Sequence, residues 1–477
     1  MANFSIKTPV KNITADSRQV EQGSLFIAYP GDKADGRNFI ADAIKSGASA
    51  VLWEPENFDW HADWDIENIP VKQLRLQAGS IASQYYNNPS NKMWMIGVTG
   101  TNGKTSISQW LAQCFNYLDN KTAVIGTLGN GLPGQLTPTS NTTPDAVLLQ
   151  GMLADYVKQD VKTAVMEVSS HGIDQGRVRG VHFDVAVLSN LTRDHLDYHG
   201  TFEAYANAKR RLFVEGDLKF AVLNGDDEFG QEIEEDLIDT GASVITYGIE
   251  HGDVRATELH FEITHFSFLA NTPFGNATIK ANLIGRFNVY NVLAVLATLL
   301  ASKVSLDDAV KAISFIQSAS GRMQLLGGGK QPLVVVDYAH TPDALEKVLS
   351  TLKEQVASKL ICVFGCGGNR DAGKRELMGI VANTIADAVV VTSDNPRDEV
   401  PEAIIQDIVR SMNGNYAIEA DRAKAISAAI LTAKPGDIVL IAGKGHEDYQ
   451  EIAGKKHHFS DIEQALSALK KYEAALV

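Results

Sequence analysis

The chain has 477 residues, of which 44% are hydrophobic and 21% are charged, and its formal net charge is −15. This length exceeds one ordinary hydrophobic core and predicts about three domains. The acidic balance argues against a protein that coats nucleic acid or a membrane surface, and no apolar run is long enough to span a bilayer. We therefore expect neither a nucleic-acid partner nor a membrane partner.

The first predicted domain, residues 1–92, ends in the polar stretch YYNNPSNK at 85–92. Its start lacks the unbroken apolar stretch of a signal peptide, so we expect a cytoplasmic protein. The three cysteines, Cys114, Cys362 and Cys366, are too few for a disulfide framework, which fits a reducing compartment. We expect all three to be packed in the interior rather than bound to a metal.

The second predicted domain, residues 93–323, alternates apolar runs with amphipathic segments. Continuous Val, Ile and Ala runs indicate a parallel sheet with helices on both faces. The runs are MWMIGVTG (93–100), KTAVIGT (121–127), KTAVMEV (162–168), FDVAVLSNL (183–191), FAVLN (220–224) and ASVITYG (242–248).

The first of these runs breaks into a segment typical of a phosphate-binding loop. Its residues are Gly100, Thr101, Asn102, Gly103, Lys104, Thr105 and Ser106. In such a loop, backbone N–H groups surround phosphate oxygens, the lysine reaches the β- and γ-phosphates, and the hydroxyl after it binds Mg²⁺. Val98 stands where the general pattern has glycine, so Gly100 and Gly103 must make the turn. A turn without a ligand is the alternative. An amphipathic helix is predicted from Lys104 to Leu118.

Three later features of this domain remain ambiguous from the residues alone. Glu167 ends a strand, where its carboxylate either holds a metal or is solvated. The segment LTRDHLDYHG (191–200) is either a metal site or a polar loop. Lys209 lies in an amphipathic segment, where a solvated lysine is the ordinary expectation.

The third predicted domain, residues 324–477, begins within the glycine-rich stretch SASGRMQLLGGGKQP at 318–332. Its strands end in the polar segments DYAH, CGGNRD, SDNPR and GKGHE. Ligands of open α/β sheets lie beyond the carboxyl ends of the strands, so we expect these four segments to meet at one edge. The stretch KKHH (455–458) is interpreted as a basic surface turn.

Together these motifs resemble the Mur ligase family, the ATP-dependent amino-acid-adding enzymes of bacterial cell-wall precursor synthesis. The resemblance covers nearly the whole chain. Its segments, in order, are ADSRQVEQGSLFIAYPGDKADGRNFI, TGTNGKT, SNTTPD, MEVSSHGIDQGRV, NLTRDHLDYHGTFEAYANAKRRLF, GRFNVYNVLA, SGRMQLL, VVDYAHTPDAL, FGCGGNRDAGKR, SDNPRDE and AGKGHEDYQ.

The resemblance implies an α/β protein of three domains: a small domain for a uridine-nucleotide substrate, a central P-loop-type ATPase domain with a parallel sheet, and a C-terminal Rossmann-like domain. It also implies a reaction. ATP phosphorylates the side-chain carboxylate of D-glutamate in UDP-MurNAc-L-Ala-D-Glu, and the amine of a diamino acid displaces the phosphate. The implied partners are small molecules only, the implied cofactor is Mg²⁺, and we expect a monomer.

The resemblance assigns roles to individual residues. Lys104, Glu167, His195 and Lys209 are the implied catalytic residues, and Lys209 would be carbamylated by CO₂. The metal would be held by Thr105, Glu167, His195 and Lys209. ATP would contact Asn288, Asn291, Arg322 and Asp337 in addition to residues 100–106. The nucleotide-dipeptide would contact Ala15, Ser17, Asp32, Lys33, Ala34, Thr142, Thr143, Ser169, Gln175 and Arg177, with Arg179 as an alternative anchor to Arg177.

The sequence DNPR, residues 394–397, favours meso-diaminopimelate as the added amino acid. Within the family, enzymes that add L-lysine usually have another residue in place of this arginine. The guanidinium of Arg397 would bind the far carboxylate of diaminopimelate in bidentate fashion and would remain unpaired against lysine. The implied contacts are Arg370, Asp394, Asn395, Pro396, Arg397, Gly443 and Glu447.

Four other functions compete with this prediction. A lysine-adding ligase would differ at the site of Arg397, and a folylpolyglutamate-synthetase-like ligase would lack the first segment of the resemblance. A P-loop regulator would bind nucleotide without forming a bond, which leaves DNPR and GKGHE unexplained. A non-catalytic paralogue is disfavoured because the five implied phosphate and metal residues are all present.

Overall fold

The computed structural model describes residues 6–32, 34–139, 141–262 and 264–476. Lys33, a predicted substrate contact, lies outside these ranges. The chain forms two compact units. The first comprises Met1–Arg255, Thr272–Phe274 and Leu293–Ala312, and the second comprises Ala256–Asn271, Gly275–Val292 and Ile313–Val477.

The first unit begins with a small parallel sheet whose strands follow one another in sequence order. Its elements are β1 (Asn12–Thr14), β2 (Ser24–Ala28), α1 (Ile40–Lys45), β3 (Ala48–Trp53), β4 (Glu67–Pro70) and α2 (Leu74–Tyr85). Strand β2 is buried along its whole length because both faces of the sheet are covered.

A larger sheet follows in the same unit, built around the strand that carries the phosphate loop. Its elements are β5 (Trp94–Thr99), α3 (Lys104–Tyr117), β6 (Thr122–Gly126), β7 (Gly129–Leu132), β8 (Gln135–Thr137), α4 (Ala146–Lys158), β9 (Thr163–Glu167), α5 (Ser170–Asp174), β10 (Val185–Leu188), α6 (Leu196–His199), α7 (Phe202–Val214), β11 (Phe220–Asn224), α8 (Glu228–Asp236) and β12 (Ser243–Gly248).

The strand order of this part is β12-β11-β10-β5-β9-β6-β7-β8. The pairs from β12 to β6 are parallel, whereas β6–β7 and β7–β8 are antiparallel. Strand β5 therefore lies between β10 and β9, and the loop after it emerges at the centre of the parallel strands. This is the position at which α/β sheets bind ligands.

Between residues 255 and 313 the chain passes back and forth between the two units, and five elements lie in or next to this part. They are β13 (Val254–Phe261), β14 (Phe266–Thr272), β15 (Gly275–Ala281), α9 (Arg286–Ala301) and α10 (Leu306–Ser314).

The rest of the second unit is an α/β domain whose six-stranded sheet has the order β16-β17-β21-β18-β19-β20. All its pairs are parallel except β16–β17. The elements are β16 (Gln324–Gly327), β17 (Leu333–Asp337), α11 (Pro342–Gln355), β18 (Leu360–Phe364), α12 (Gly373–Ile385), β19 (Ala388–Val391), α13 (Pro401–Val409), β20 (Tyr416–Ile418), α14 (Arg422–Thr432), β21 (Ile438–Ala442), β22 (Tyr449–Ile452), β23 (Lys455–His458) and α15 (Asp461–Leu476).

Several predictions from the sequence are confirmed here. The α/β class, the predicted strands and the helix after the phosphate loop are present, and the three cysteines are buried. The interpretation of residues 455–458 as a turn was wrong. They form the exposed strand β23. Antiparallel pairing with β22 holds these residues extended. In the part of the chain that the structure describes, no helix is long and apolar enough to cross a membrane.

Candidate active site

The phosphate loop has the backbone geometry that its glycines require. Gly100 has a φ of 140° and Gly103 a φ of 86°, and α3 begins directly after Gly103. A Cβ on Gly100 would lie 1.9 Å from the Ser189 Oγ, so a side chain there cannot be accommodated without movement. The amide N–H of Thr101 donates to the Asn190 carbonyl at 2.8 Å, which ties the loop to the end of β10. This hydrogen bond holds the loop in place directly before the first N–H groups of α3.

Two lysines meet at this loop. The Nζ atoms of Lys104 and Lys209 each donate to the Gly100 carbonyl at 2.8 Å, and Lys104 also donates to the Thr101 carbonyl at 2.8 Å. Lys209 is 1% exposed, and its Nζ lies 4.6 Å from the centroid of the Tyr205 ring. Burial, and then the positive charge of Lys104, lower the pKa of Lys209 well below its usual value. The solvated-lysine interpretation of Lys209 was therefore wrong.

Glu167 is fully buried at the end of β9 and accepts several hydrogen bonds. Its Oε2 accepts from the hydroxyls of Thr105 at 2.9 Å and Thr127 at 3.1 Å, and its Oε1 accepts from the Thr127 N–H at 2.8 Å. Gly126 makes room for this carboxylate, because a Cβ there would lie 2.2 Å from Oε1. Hydroxyl and carboxylate oxygens are the ligands that Mg²⁺ prefers, so this donor set fits that ion.

His195 occupies a different part of the site, in the segment between β10 and α6. It has a left-handed backbone with φ of 53°, and its Nε2 lies 3.4 Å from Asp194 Oδ2. Burial lowers the pKa of His195, and the charges of Lys104 and Lys209 lower it further, against the opposing effect of Asp194. His195 therefore shares the electrostatic environment of Lys104 and Lys209. Within the described ranges, no three His, Cys, Asp or Glu side chains cluster as a metal site, so the ligand role of His195 stays a prediction.

The residues predicted for the dipeptide gather around β9 and α5. The Oγ1 of Thr143 lies 3.0 Å from the Ser169 Oγ, and Ser169 caps α5 by accepting from Gly172 N–H. The Nη1 of Arg177 donates to the Thr143 carbonyl at 2.8 Å. Thr142 lies 3.0 Å from Thr127, which joins this group to the Glu167 carboxylate.

Arg177 rather than Arg179 is the arginine that faces this group. Arg179 is exposed. Burial lowers the pKa of Arg177, and Asp145 acts in the opposite direction. A partly buried guanidinium beside hydroxyl groups is suited to bind a carboxylate.

A second cluster links the loop after β2 to α5. Asp32 accepts from Arg75 Nη1 and from Gln175 Nε2, both at 2.6 Å. Gln175 also donates to the Tyr198 hydroxyl at 3.3 Å. Of the other predicted nucleotide contacts, Ala15 and Ser17 follow the end of β1 in the chain. Ala34 is exposed. The structure thus brings Asp32 and Gln175 together, whereas it shows no polar partner that singles out Ala15 or Ala34.

In the second unit, the two predicted adenine contacts lie on α9. The Nδ2 of Asn288 donates to the Ile284 carbonyl at 2.8 Å, and the Nδ2 of Asn291 donates to the Asn288 Oδ1 at 3.0 Å. Both asparagines are buried. Their amides are therefore ordered by the helix itself.

Arg322 and Asp337 lie close together at the start of the six-stranded sheet. The carboxylate of Asp337 accepts from the N–H groups of Met323 and Ala339, both at 2.8 Å. The Arg322 guanidinium lies 4.6 Å from the centroid of the Tyr338 ring. In the described part of the chain, the buried Arg322 Nε and His446 Nδ1 have no hydrogen-bond partner. A buried polar atom of this kind needs a partner, which a polar ligand or a water can supply.

The four polar segments that follow the strands of this sheet meet at one edge, as predicted. Gly443 N–H donates to the Asp337 carbonyl at 3.1 Å, and Gly368 N–H donates to the Asn395 carbonyl at 2.9 Å. A Cβ on Gly443, whose φ is 118°, would lie 2.7 Å from Asp394 Oδ2. The backbone of GKGHE can approach DNPR only because this residue has no side chain.

Arg397 is held in a defined position at that edge. Its Nη1 donates to the Gly368 carbonyl at 2.7 Å, and its Nε donates to Glu451 Oε2 at 3.1 Å. Its backbone has a φ of 52° and pairs with β22 at Ile452. The guanidinium is 20% exposed, so part of its donor edge faces outward. Arg370 is exposed nearby, and Pro396 is buried under the Arg397 turn.

Asn395 and Glu447 contact each other directly. The Asn395 Nδ2 donates to Glu447 Oε2 at 2.8 Å, and Lys444 donates to both side chains. The predicted diaminopimelate contacts are thus brought together, apart from Arg370, which contributes no described hydrogen bond.

Sequence reasoning missed several members of these clusters. They are Arg75, Thr127, Tyr205, Lys444 and Glu451. Thr127 and Lys444 stand inside motifs that were recognised, so their position at a strand end was an available signal. Arg75 and Glu451 come from segments without a motif, and only the fold brings them to the site.

The chain belongs to the Mur ligase family. It matches the model "Mur ligase family, catalytic domain" over residues 9–86, "Mur ligase middle domain" over 98–299 and "Mur ligase, glutamate ligase domain" over 321–445. These three matches follow one another along the chain, in agreement with the predicted three-part α/β architecture. The predicted boundaries after residues 92 and 323 remain predictions.

Similar proteins share most of the chain. A protein of Chromobacterium violaceum named UDP-N-acetylmuramoyl-L-alanyl-D-glutamate--2,6-diaminopimelate ligase is 52% identical over 465 residues, 97% of this chain and 94% of its own. A Pseudomonas aeruginosa protein of the same name is 46% identical over 468 residues, 97% of this chain and 96% of its own.

Solved structures agree in fold. A structure with that same name has a TM-score of 0.74, is 38% identical and covers 98% of each chain. The MurF ligase of Thermotoga maritima in complex with ADP has a TM-score of 0.68 at 19% identity, covering 99% of this chain and 100% of its own. At that identity the second likeness concerns the fold alone.

Proposed function

We propose that this chain is an ATP-dependent ligase that adds meso-diaminopimelate to UDP-N-acetylmuramoyl-L-alanyl-D-glutamate in peptidoglycan precursor synthesis. The observation that carries the proposal is the 46–52% identity, over 95–98% of the chain, to proteins with this ligase name. The match over residues 9–86 disfavours a folylpolyglutamate-synthetase-like function, since the solved synthase covers only 77% of the chain.

The reaction proceeds by carboxylate activation. An oxygen of the D-glutamate side chain attacks the γ-phosphorus of ATP, the bond to the β-γ bridging oxygen breaks, and ADP leaves. The amine of the amino acid then attacks the acyl carbon, loses a proton, and inorganic phosphate departs. Lys104 and the N–H groups at the start of α3 would bind the phosphates and stabilise the negative charge that develops there.

Thr105, Glu167, His195 and Lys209 are the residues that would hold Mg²⁺, and the Glu167–Thr105 pair carries the fit. When bound, the ion would screen the repulsion between the anionic carboxylate and the anionic phosphates. Glu167 also orders the loop, since its hydrogen bonds to Thr105 and Thr127 join the start of α3 to the end of β6.

Lys209 is proposed to carry a carbamate. Carbamylation needs a neutral amine, which attacks CO₂ and loses a proton to give an N-carboxylate. Burial and the neighbouring Lys104 charge lower the pKa of Lys209, which supplies the neutral amine, and the resulting anion would pair with Lys104. We further propose that the enzyme is a cytoplasmic monomer that takes small-molecule substrates only.

Arg397 supports diaminopimelate as the amino acid. Its Nε and one Nη1 hydrogen are used by Glu451 and Gly368, which leaves the Nη edge for a substrate carboxylate. L-lysine has no carboxylate at its far end and would leave the free Nη edge of this guanidinium without a partner.

The test is phosphate release with ATP, Mg²⁺ and UDP-N-acetylmuramoyl-L-alanyl-D-glutamate, with meso-diaminopimelate or L-lysine added in turn. We expect release with diaminopimelate only, and a loss of more than about tenfold in kcat/KM for diaminopimelate in Arg397→Ala. Arg410→Ala, which changes an exposed arginine of the same unit, is the matched control and should behave as wild type.

Two results would contradict the proposal. Release with L-lysine at the rate expected for diaminopimelate would retain the ligase and remove the proposed role of Arg397. Release that ignores both amino acids would indicate a nucleotide hydrolase or regulator instead.

A further inference from the structure

A buried lysine lies behind the proposed amino-acid site. Lys444 follows β21 and is 0% exposed. A buried ammonium is costly unless polar groups surround it. Its Nζ donates to Asn395 Oδ1 at 3.0 Å and to Glu447 Oε2 at 3.2 Å, and it lies 5.5 Å from the centroid of the Tyr449 ring.

Lys444 and the Glu451 N–H together fix which way the Asn395 amide points. The Oδ1 of Asn395 accepts from the Lys444 ammonium and also from the Glu451 N–H at 2.9 Å. If the amide were flipped, its NH₂ group would face these two donors. The Nδ2 therefore points away from Lys444's side and donates to Glu447 Oε2 at 2.8 Å.

Lys444 and Asn395 together orient the Glu447 carboxylate. Both donate to Oε2, and within the described residues no hydrogen bond reaches Oε1. The Glu447 side chain is 18% exposed, so its second oxygen is available to a ligand. A carboxylate held at one oxygen by two donors presents the other in a fixed direction, which suits the binding of an ammonium group.

We infer that Lys444 is a positioning residue for amino-acid recognition: through Asn395 and Glu447 it aims one carboxylate oxygen at an ammonium group of the diamino acid. The inference rests on the proposed function and deepens it. Lys444 itself is enclosed and does not contact the substrate. Its loss removes one of the two donors that hold Asn395 Oδ1 and leaves Glu447 without its cation.

The experiment measures KM for meso-diaminopimelate, ATP and the uridine nucleotide by phosphate release, in wild type, Lys444→Met, Glu447→Gln and the double variant. We expect Lys444→Met to raise KM for diaminopimelate more than tenfold and to leave KM for the other two substrates within twofold. Because Lys444 acts through Glu447, the double variant should be no worse than the more impaired single variant. Lys424→Met, at an exposed lysine of the same unit, is the matched control.

The outcomes separate the two proposals. If wild type releases no phosphate with diaminopimelate, both the proposed function and this inference fail. If wild type does so and Lys444→Met keeps its KM for diaminopimelate, or all three KM values rise together, the positioning role is overturned alone. Should Lys444→Met fail to fold, Lys444→Gln keeps a donor for Asn395 without the charge, and the same selective rise in KM is expected.

Discussion

Lys209 illustrates how a single residue changes meaning between the chain and the fold. In the sequence it lies in an amphipathic segment, where a lysine is normally solvated. In the structure it is 1% exposed and shares the Gly100 carbonyl with Lys104. Two ammonium groups at one carbonyl repel each other, so the buried member is the one that favours the neutral form.

Replacement of Lys209 by Met should therefore reduce kcat by more than about a hundredfold, because the site loses the proposed carbamate. In ¹³C-bicarbonate, wild type should show a carbamate carbonyl resonance that Lys209→Met lacks. Lys219→Met, at a largely exposed lysine, should keep the resonance. A wild-type spectrum without that signal, or a fully active Lys209→Met, would contradict the assignment.

His446 permits a prediction on pH. Burial, and then the Arg322 charge, lower its pKa from 6.5 to about 4. Above pH 6.5 the His446 ring is neutral in both the folded and the unfolded chain. As the pH falls from 6.5 through about 4, the unfolded chain binds a proton before the folded chain does, so stability is lost.

Between pH 7.5 and pH 5, wild type should lose about 1 kcal/mol more stability than His446→Gln, after allowance for partial exposure of the ring. For a unit of this size that corresponds to a difference of about 2–4 °C in the change of Tm. Thermal melts at the two pH values provide the measurement. Equal losses in the two proteins would show that His446 does not titrate in this range.

At the scale of elements, strand ends decide where the chemistry lies. Strands β5 and β9 end in the phosphate loop and in Glu167, and their parallel pairing places these features side by side. The loop after β5 is close-packed against the end of β10, which explains why glycine is required at position 100.

Gly100→Ala should raise KM for ATP more than about a hundredfold, because its Cβ would displace the loop from Ser189 and from the N–H groups proposed to bind phosphate. Gly216→Ala is the control, since a Cβ there meets nothing within 4 Å. Nucleotide binding measured by calorimetry should show the same difference. Unchanged ATP binding in Gly100→Ala would argue against this loop as the phosphate site.

The β22–β23 hairpin also acts as an element. Its strand β22 supplies Glu451, whose carbonyl accepts from Arg397 N–H at 3.0 Å and whose carboxylate accepts from Arg397 Nε. The hairpin thus supports the left-handed turn at Arg397, a conformation that few side chains adopt unaided.

Glu451→Ala should raise KM for meso-diaminopimelate by about five- to tenfold, because the Arg397 guanidinium loses one of its two fixed partners. KM for ATP should not change. Glu463→Ala, at an exposed carboxylate of α15, is the control. If both KM values stay at wild-type levels, the Gly368 carbonyl and the backbone turn are sufficient to hold Arg397.

At the scale of the whole molecule, the predicted boundary after residue 323 can be compared with the packing. Residues 313–323 belong to the second unit. Ile316, Ala319 and Met323 are each less than 5% exposed, and the Met323 N–H donates to Asp337. A cut at 323 would remove this segment from the unit that buries it.

A fragment of residues 313–477 should therefore be more stable than one of residues 324–477, by at least about 2 kcal/mol from the lost burial of Ile316 and Met323. Denaturant unfolding of the two fragments provides the measurement. Both fragments lack residues 1–312, so they differ only in residues 313–323. Equal stability would support the predicted boundary after residue 323.

Motifs and periodicity were sufficient to predict the α/β class, the strands in the long apolar runs, the phosphate loop and the meeting of DNPR with GKGHE. These features depend on local spacing and on the general geometry of parallel sheets, which bring strand ends to one edge. The family likewise follows from ordered motifs, and the comparisons bear it out.

Only the tertiary structure decided the rest: that Lys209 is buried beside Lys104, that Thr127 bonds Glu167, that Arg177 rather than Arg179 faces inward, and that Lys444 orients Asn395 and Glu447. The physical reason is that burial, the direction of a side chain and the pairing of charges depend on residues distant in sequence. The residues next to a lysine in the sequence do not show which groups will surround it once the chain has folded.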